Sequence, residues 1–238
     1  MKNIFRFLAK HKLAILAAIC CLVVQAYCDL ALPTYTSDVL NVGLQQGGIA
    51  DGVMDTVRAD SLETLELFMT DADTQTVEQA YTQPNASGVR TLRDDADRET
   101  LNNILRKPEA TVYQMRSSDK TKGAPEQIKA AVAAGAMTKE QLISQMDEAF
   151  SEMGDMTDTF LTEIAVNYVS AEYQAQGIDL NQVRNAYLFA VGGKMLLMAV
   201  IMAIAAILVG LIASVTSSKV GRDLRTSIYE KVMQFTDA

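Results

Sequence analysis

Three features of the sequence predict a mainly α-helical membrane protein: an interfacial elbow helix, two transmembrane helices, and a mostly helical extracellular domain between those two. Residues 13–32, LAILAAICCLVVQAYCDLAL, and 195–213, MLLMAVIMAIAAILVGLIA, are apolar runs, each close to the roughly 20 residues that carry a helix across hydrocarbon. Between them, residues 33–185 hold 25 acidic and 12 basic side chains, a net charge of −13. Basic residues gather instead at the two ends: Lys2, Arg6, Lys10 and Lys12 precede the first run, and Lys219, Arg222, Arg225 and Lys231 follow the second. Lys and Arg are retained in cytoplasmic segments beside spans, so both termini are expected inside and residues about 43–186 outside. The chain's overall charge of −8 averages two basic ends with one acidic domain, and says little about partners. The expected organisation is 1–48 for elbow and first span, 49–181 for the acidic domain, and 182–238 for the second span with its cytoplasmic extension.

Residues 1–10 put Ile4, Phe5 and Leu8 on one side of a helix and Lys2, Arg6 and Lys10 largely on the other, the pattern of an elbow lying in the inner interface. The plainer alternative is a frayed basic terminus. A cleaved signal peptide also begins with a basic stretch and an apolar run. Here the run is too long, no small-x-small site follows, and Ile19, Cys20 and Tyr27 stand where a lipoprotein signal needs a small residue before its cysteine. Cys20, Cys21 and Cys28 are the only cysteines and all lie in the first span. The acidic domain therefore has no disulfide framework, and the thiols are expected to pack as small apolar groups.

After the first span, Pro33 is placed to kink the helix and Gly47 with Gly48 to end it. Asp60 with Glu63, Thr138 with Gln141 and Asp179 with Gln182 have capping-box spacing, which predicts three helix starts. Apolar residues recur at three and four over 139–153 and 157–174, for example Phe160, Ile164, Val169 and Tyr173, so both stretches are expected to be amphipathic helices. Two short stretches, GVRTL around Val89 and ATVYQM around Val112, carry branched and aromatic residues and could pair as a small sheet. Loops are expected at 83–88 and 120–125. From Gln182 the pattern runs through Gly192 and Gly193 into the second span and on to Phe235, a helix of roughly 80 Å at 1.5 Å per residue. In its last part Val220, Leu224, Ile228, Val232 and Phe235 form one apolar stripe, with Lys219, Arg222, Asp223 and Arg225 facing elsewhere.

Asp29 and Lys194 are the charges within or at the edge of the spans, and intramembrane charges carry a functional hypothesis by default. Their distances along the two helices place them at similar depth near the outer leaflet, so an ion pair is expected, with Gln25 one turn below Asp29 on the same face. The alternatives are that Asp29 faces further helices or a wet cavity and that Lys194 snorkels to the interface. Asp71, Asp73, Asp94, Asp95 and Asp97 invite a calcium reading, but Thr76 stands where an EF-hand loop needs glycine and the second group has no glycine. A solvated acidic surface is the expectation. His11 sits among lysines as an interfacial residue. The triplet at 85–87 has the form of a glycosylation acceptor in an expected outer loop. No catalytic triad or zinc cluster can be assembled.

The segment KVGRDLRTSIYEKVMQF at 219–235 resembles the basic helix that follows the second transmembrane helix of bacterial ABC exporters of the multidrug and lipid type. At the other end, KHKLAILAAICCLVVQAYCDLALPTYTSDVLNVGLQQGGI resembles the elbow, first helix and outer exit of that family, through Leu32, Pro33, Asp38, Val39, Leu40 and Asn41. The resemblance covers roughly 1–48 and 182–238. It implies a half-transporter piece with a domain inserted in its first outer loop, as in a subgroup of exporters from Gram-positive bacteria. It also implies a multi-pass location in a bacterial cell membrane, with Arg222, Arg225, Tyr229 and Lys231 on a cytoplasmic helix directed toward an ATPase.

The implied partners are the lipid bilayer, the remaining spans, a nucleotide-binding domain, and a second half-transporter in a homo- or heterodimer; no nucleic acid is expected. ATP and magnesium belong to the missing nucleotide-binding domain, so no cofactor, metal or catalytic residue is expected on this chain. The nearest phosphate-loop likeness, at 192–195, has Leu188 for the first glycine and Met195 for Ser or Thr. The chain is thus expected to be an incomplete half-transporter, from a truncated gene, a partial reading frame or a designed piece. The rival reading is a two-span sensor or chemoreceptor whose outer domain binds a ligand, and a third is a small membrane anchor protein. A sensor usually follows its second span with a proline-containing linker, and residues 219–235 contain no proline.

Overall fold

The computed structural model describes residues 12–118, 121, 123–151 and 157–236. The expected elbow at 1–10 and the side chains of Lys231 and Phe235 lie outside the described residues. The described residues are 78% helix, and the chain divides into two compact units, Met1–Val39 with Phe189–Ala238, and Leu40–Leu188. In order, α1 spans Lys12–Asp38, a π-helical turn spans Val39–Gln45, β1 Thr56–Arg58, α2 Ala59–Glu66, α3 Asp71–Ala80 and β2 Val89–Thr91. Then follow α4 Arg98–Ser117, α5 Ala124–Ala133, α6 Lys139–Ser151, α7 Thr157–Ala175 and α8 Leu180–Thr236.

Two helical stretches, Lys12–Gln45 and Leu180–Tyr229, are long and apolar enough to cross a membrane. Pro33 sits inside α1 without ending it. The helix instead widens into the π turn and stops at Gly47 and Gly48, both at positive φ. Each helix covers one narrow seam. On α1 the covered or half-covered residues include Ala14, Ala18, Cys21, Gln25, Cys28 and Leu32; on α8 they include Val191, Met195, Met198, Met202, Ala205 and Val209. Both sets alternate steps of three and four, the spacing that keeps one stripe facing a neighbouring helix. Small residues along the α1 seam allow close approach, as between helices in lipid. The seams meet where the Cys28 thiol lies 3.8 Å from the sulfur of Met198.

The second unit is a helical domain with a two-stranded antiparallel sheet. In it β1 pairs with β2 in the register Thr56 to Thr91, Val57 to Arg90 and Arg58 to Val89. This corrects the expected sheet: the stretch around Val89 pairs with β1, whereas ATVYQM lies inside α4. Leu101, Leu105, Pro108 and Val112 recur at helical spacing and are buried along α4, so the long apolar face outweighs the local strand preference of Thr111, Val112 and Tyr113. Helix α4 packs against α7, α2, α5 and α3. The core between them contains Met54, Val57, Leu62, Leu65, Val77, Leu101, Leu105, Leu161, Tyr168 and Val169.

The helix starts differ in how they are capped. At α6 the reciprocal box forms: Thr138 N–H donates to Gln141 Oε1 at 3.1 Å, and Gln141 N–H to Thr138 Oγ1 at 3.4 Å. At α8, Asp179 accepts from Asn181 N–H at 2.9 Å, so the cap is present through a different residue from Gln182. At α2 the expected box is absent, since Arg58 occupies the N-cap without a side-chain bond and Asp60 falls in the first turn. Continuation of β1 into the helix leaves no turn for Asp60 to close.

The second unit's entry and exit segments touch. A Cβ on Gly43 would strike the Leu188 side chain, and one on Gly48 would come within 2.7 Å of the Arg184 backbone, with φ already +86°. Gly47, at φ +67°, has nothing within 4 Å of the same position. Gly48→Ala is therefore expected to cost about 3 kcal/mol, combining left-handed strain with a backbone clash, and Gly47→Ala about 1 kcal/mol from strain alone. Urea unfolding of the detergent-solubilised chain checks this; equal losses would show that the contact at Gly48 is unimportant.

Candidate functional site

The segment of residues 49–55, which joins the π turn to β1, lines a cleft of the second unit. Three neighbours hold it. Arg98, the first residue of α4, donates to Asp51 Oδ1 at 3.0 Å, Asp55 Oδ1 at 2.6 Å and the Val53 carbonyl at 2.8 Å. Its placement follows from Asp97, which caps α4 by accepting from Glu99 N–H and Thr100 N–H. Burial opposes the Arg98 charge, but its hydrogen bonds to the carboxylates of Asp51 and Asp55 outweigh that and raise its pKa. Tyr173 Oη accepts from Asp55 N–H at 2.9 Å, and burial pushes its own pKa up to about 12. Tyr81 Oη donates to the Met54 carbonyl at 2.8 Å from inside the core.

The cleft has a volume of about 500 Å³, with Ile49, Val53, Ile178, Val183 and Tyr187 supplying apolar walls and Asp51, Asp55 and Arg98 a charged rim. Apolar walls with a few fixed polar groups are the usual composition of a small-molecule site. On the far side of β1 the Glu172 carboxylate is buried and receives Arg58 Nε at 2.9 Å, Arg58 Nη2 at 2.8 Å, Arg58 N–H at 3.0 Å and Ser61 Oγ at 2.8 Å. Burial pushes the Glu172 pKa up, yet these donors outweigh it and hold the carboxyl below its ordinary value.

Glu109 is the contrasting case. It is fully buried on α4, and neither carboxylate oxygen accepts a hydrogen bond among the described residues. Burial raises its pKa well above the ordinary value, and the nearby Asp51 charge raises it further. Sequence reasoning did not single out Glu109, Glu172 or Arg98. The available signal for Glu109 was its place one turn after Leu105 on the apolar face of α4.

The residues singled out from the sequence are distributed otherwise. Asp29 and Lys194 are both exposed, and among the described residues no ion pair or hydrogen bond joins them. Cys28 and Met195 hold the two seams, and each charged residue is the immediate neighbour, about 100° round its helix. Gln25 is half-buried on the seam. Arg222 lies 3.7 Å from Asp223, Arg225 donates to the Gly221 carbonyl at 3.3 Å, and Tyr229 is 66% exposed. Residues 192–195 lie within α8 as continuous helix, not a loop. Of the acidic clusters, Asp97 is the α4 cap, while Asp71 and Asp73 fall in the first turn of α3, where negative charge is favoured by the helix dipole. Among the described residues no group of three or more metal-ligating side chains converges.

Comparison with protein-family models, with curated proteins and with solved structures finds no match to this chain.

Removing one partner of a buried ion pair leaves the other uncompensated, so Glu172→Gln is expected to destabilise the domain by about 3 kcal/mol near neutral pH. The Glu172 carboxyl is depressed on folding, so its contribution is present above the unfolded value, about 4.3, and fades as pH falls through the folded value. The gap between wild type and variant should therefore close in acid. Urea unfolding near pH 7 and at about pH 3 measures it; a gap that stays constant would contradict the assignment.

Proposed function

We propose that this chain supplies the first two membrane helices of an ATP-driven exporter of the ABC type, with the acidic domain inserted between them on the outer side of a bacterial membrane. The observation that carries the reading is α8: one uninterrupted helix of 57 residues, from the Asp179 cap through the apolar run and Gly192–Gly193 to Thr236. An exporter needs a helix of this kind, because its second span continues into the cytoplasm toward the ATPase without a hinge. A two-span sensor would be expected to interrupt the helix after the span.

The basic stretch after the apolar run supports the same orientation, since Lys219, Arg222 and Arg225 follow it directly. Two helices have too little surface to enclose a transport path, so on this reading transport requires further spans, a nucleotide-binding domain holding ATP and magnesium, and a second half-transporter. The inserted domain covers or gates the outer mouth, or receives a peptide or partner there. Its contribution to export is binding, through the cleft beside Arg98, and not chemistry.

Two measurements test the proposal together. In a background with Cys20, Cys21 and Cys28 changed to serine, a cysteine at Ser87 should react with a membrane-impermeant thiol reagent on intact cells, and one at Ser218 only after permeabilisation. The complete protein purified from its native membrane should hydrolyse ATP in a vanadate-sensitive way. Reversed labelling would overturn the orientation; a kinase or signalling bundle in place of an ATPase would overturn the exporter reading.

A further inference from the structure

Glu109 lies at the centre of the second unit, under the segment that lines the cleft. A Cβ at Gly52 would overlap its carboxylate, and Ala165 of α7 closes the same space. Gly52 N–H turns away to donate to Asn102 Oδ1 at 2.9 Å, so it does not serve the carboxylate either. Both oxygens are left without a donor. Buried polar groups are nearly always paired, and one left unpaired calls for a physical reason.

The surroundings give no counter-charge. From the segment of residues 49–55, Asp51 acts on Glu109 as a like charge. Tyr81, which caps the end of α3, and Tyr168 of α7 are buried phenols coupled to it, each with its pKa raised chiefly by burial. The cations on neighbouring elements are engaged elsewhere: Lys129 of α5 binds Glu63 of α2 at 2.6 Å, Lys107 of α4 binds Asp147 of α6 at 2.6 Å, and Arg58 binds Glu172 of α7. Arg98, the cation nearest the segment, is held by Asp51, Asp55 and the Val53 carbonyl.

We propose that Glu109 is a proton-binding switch: with its proton on, residues 49–55 close over it, and loss of the proton lifts that segment and opens the cleft it lines. The physical basis is the cost of an isolated carboxylate in an apolar core, which is far greater than that of the neutral acid. Lifting the segment admits water, which takes the proton and solvates the charge left behind. Gly52 is the contact point, because only a residue without a side chain leaves room for the acid beneath it. The segment's ties to Arg98 lie at the half-exposed rim of the cleft, where they can break singly, whereas Tyr81 and Tyr173 hold Met54 and Asp55 from inside the core, so the segment lifts about that end. This switch does not depend on the exporter reading, since it belongs to the domain alone.

The sign is opposite to that of Glu172. The Glu109 carboxyl is raised on folding, so its contribution is fully present below the unfolded value, about 4.3, and is lost as pH rises toward the folded value. Hydrogen–deuterium exchange of the full chain in detergent, between about pH 5 and about pH 9 and corrected for intrinsic exchange, reads this directly in peptides covering 49–55. Protection there should fall by about tenfold or more with rising pH in the wild type, and should stay flat in Glu109→Gln. Unchanging protection in the wild type, or the same fall in the variant, would overturn the switch. If the variant does not fold, the wild type alone decides: near neutral pH its infrared spectrum should show the carbonyl band of a protonated buried acid that exchanges slowly with deuterium. Absence of that band would equally overturn it.

Discussion

The close contact between the chain's entry into the globular unit and its exit is the constraint on which the rest depends. A domain placed between two neighbouring helices has to return its end beside its beginning. Here Gly43 packs against Leu188 and Gly48 against the Arg184 backbone. Glycine at both points lets the main chains approach, and at Gly48 it also supplies the left-handed turn that ends the π-helical stretch. The direction of residues 49–55 is set by that turn. They then run under Arg98, along the Tyr173 hydroxyl and into β1, whose Val57 side chain is fully buried.

The domain treats its inward carboxylates in three different ways. Glu172 receives five donors and is paired with a guanidinium, so its charge is retained. Asp51 and Asp55 share Arg98 at the edge of the cleft and keep partial contact with water. Glu109 has neither donor nor cation. Ionising the first costs little and the last a great deal, because desolvation is offset only where the lost water is replaced by other donors. The acidic composition seen in the sequence thus contains groups of opposite pH response, and net charge alone cannot distinguish them.

The helical character, both apolar runs, the positions of α6 and α7 and the unbroken course of α8 were legible in the sequence, because each depends on periodicity over many residues. The pairing partner of β2 was not. Val112 has the intrinsic preference of a strand residue, but Leu101, Leu105 and Pro108 place it on a helical face that a local reading around ATVYQM does not include. The Asp60 box failed for a related reason: spacing identifies a possible cap, while the preceding strand decides whether a cap is made. The residues of the cleft and its floor were least legible. Arg98, Glu109 and Glu172 lie in different segments of the chain, and only the packing of α4 against α7 and the entry segment gives them their environments.

Asp29 and Lys194 show the limit of reasoning from depth alone. Similar expected depth on two helices does not bring side chains together unless both also lie on the facing stripe. In α1 that stripe is the series through Ala14, Ala18, Cys21, Gln25 and Cys28, and in α8 the series through Val191, Met195, Met198 and Met202. A charge on either series would have to be buried against sulfur and methyl groups at considerable cost. Placed one residue off the seam, each charge avoids that cost, and the small and flexible residues keep the interface. The large apolar side chains around the rest of both helices, Leu22, Leu30, Leu196, Ile204 and Leu211 among them, remain exposed. In water such a surface would be untenable for a folded chain, whereas lipid or further apolar helices would cover it without any change in the seam.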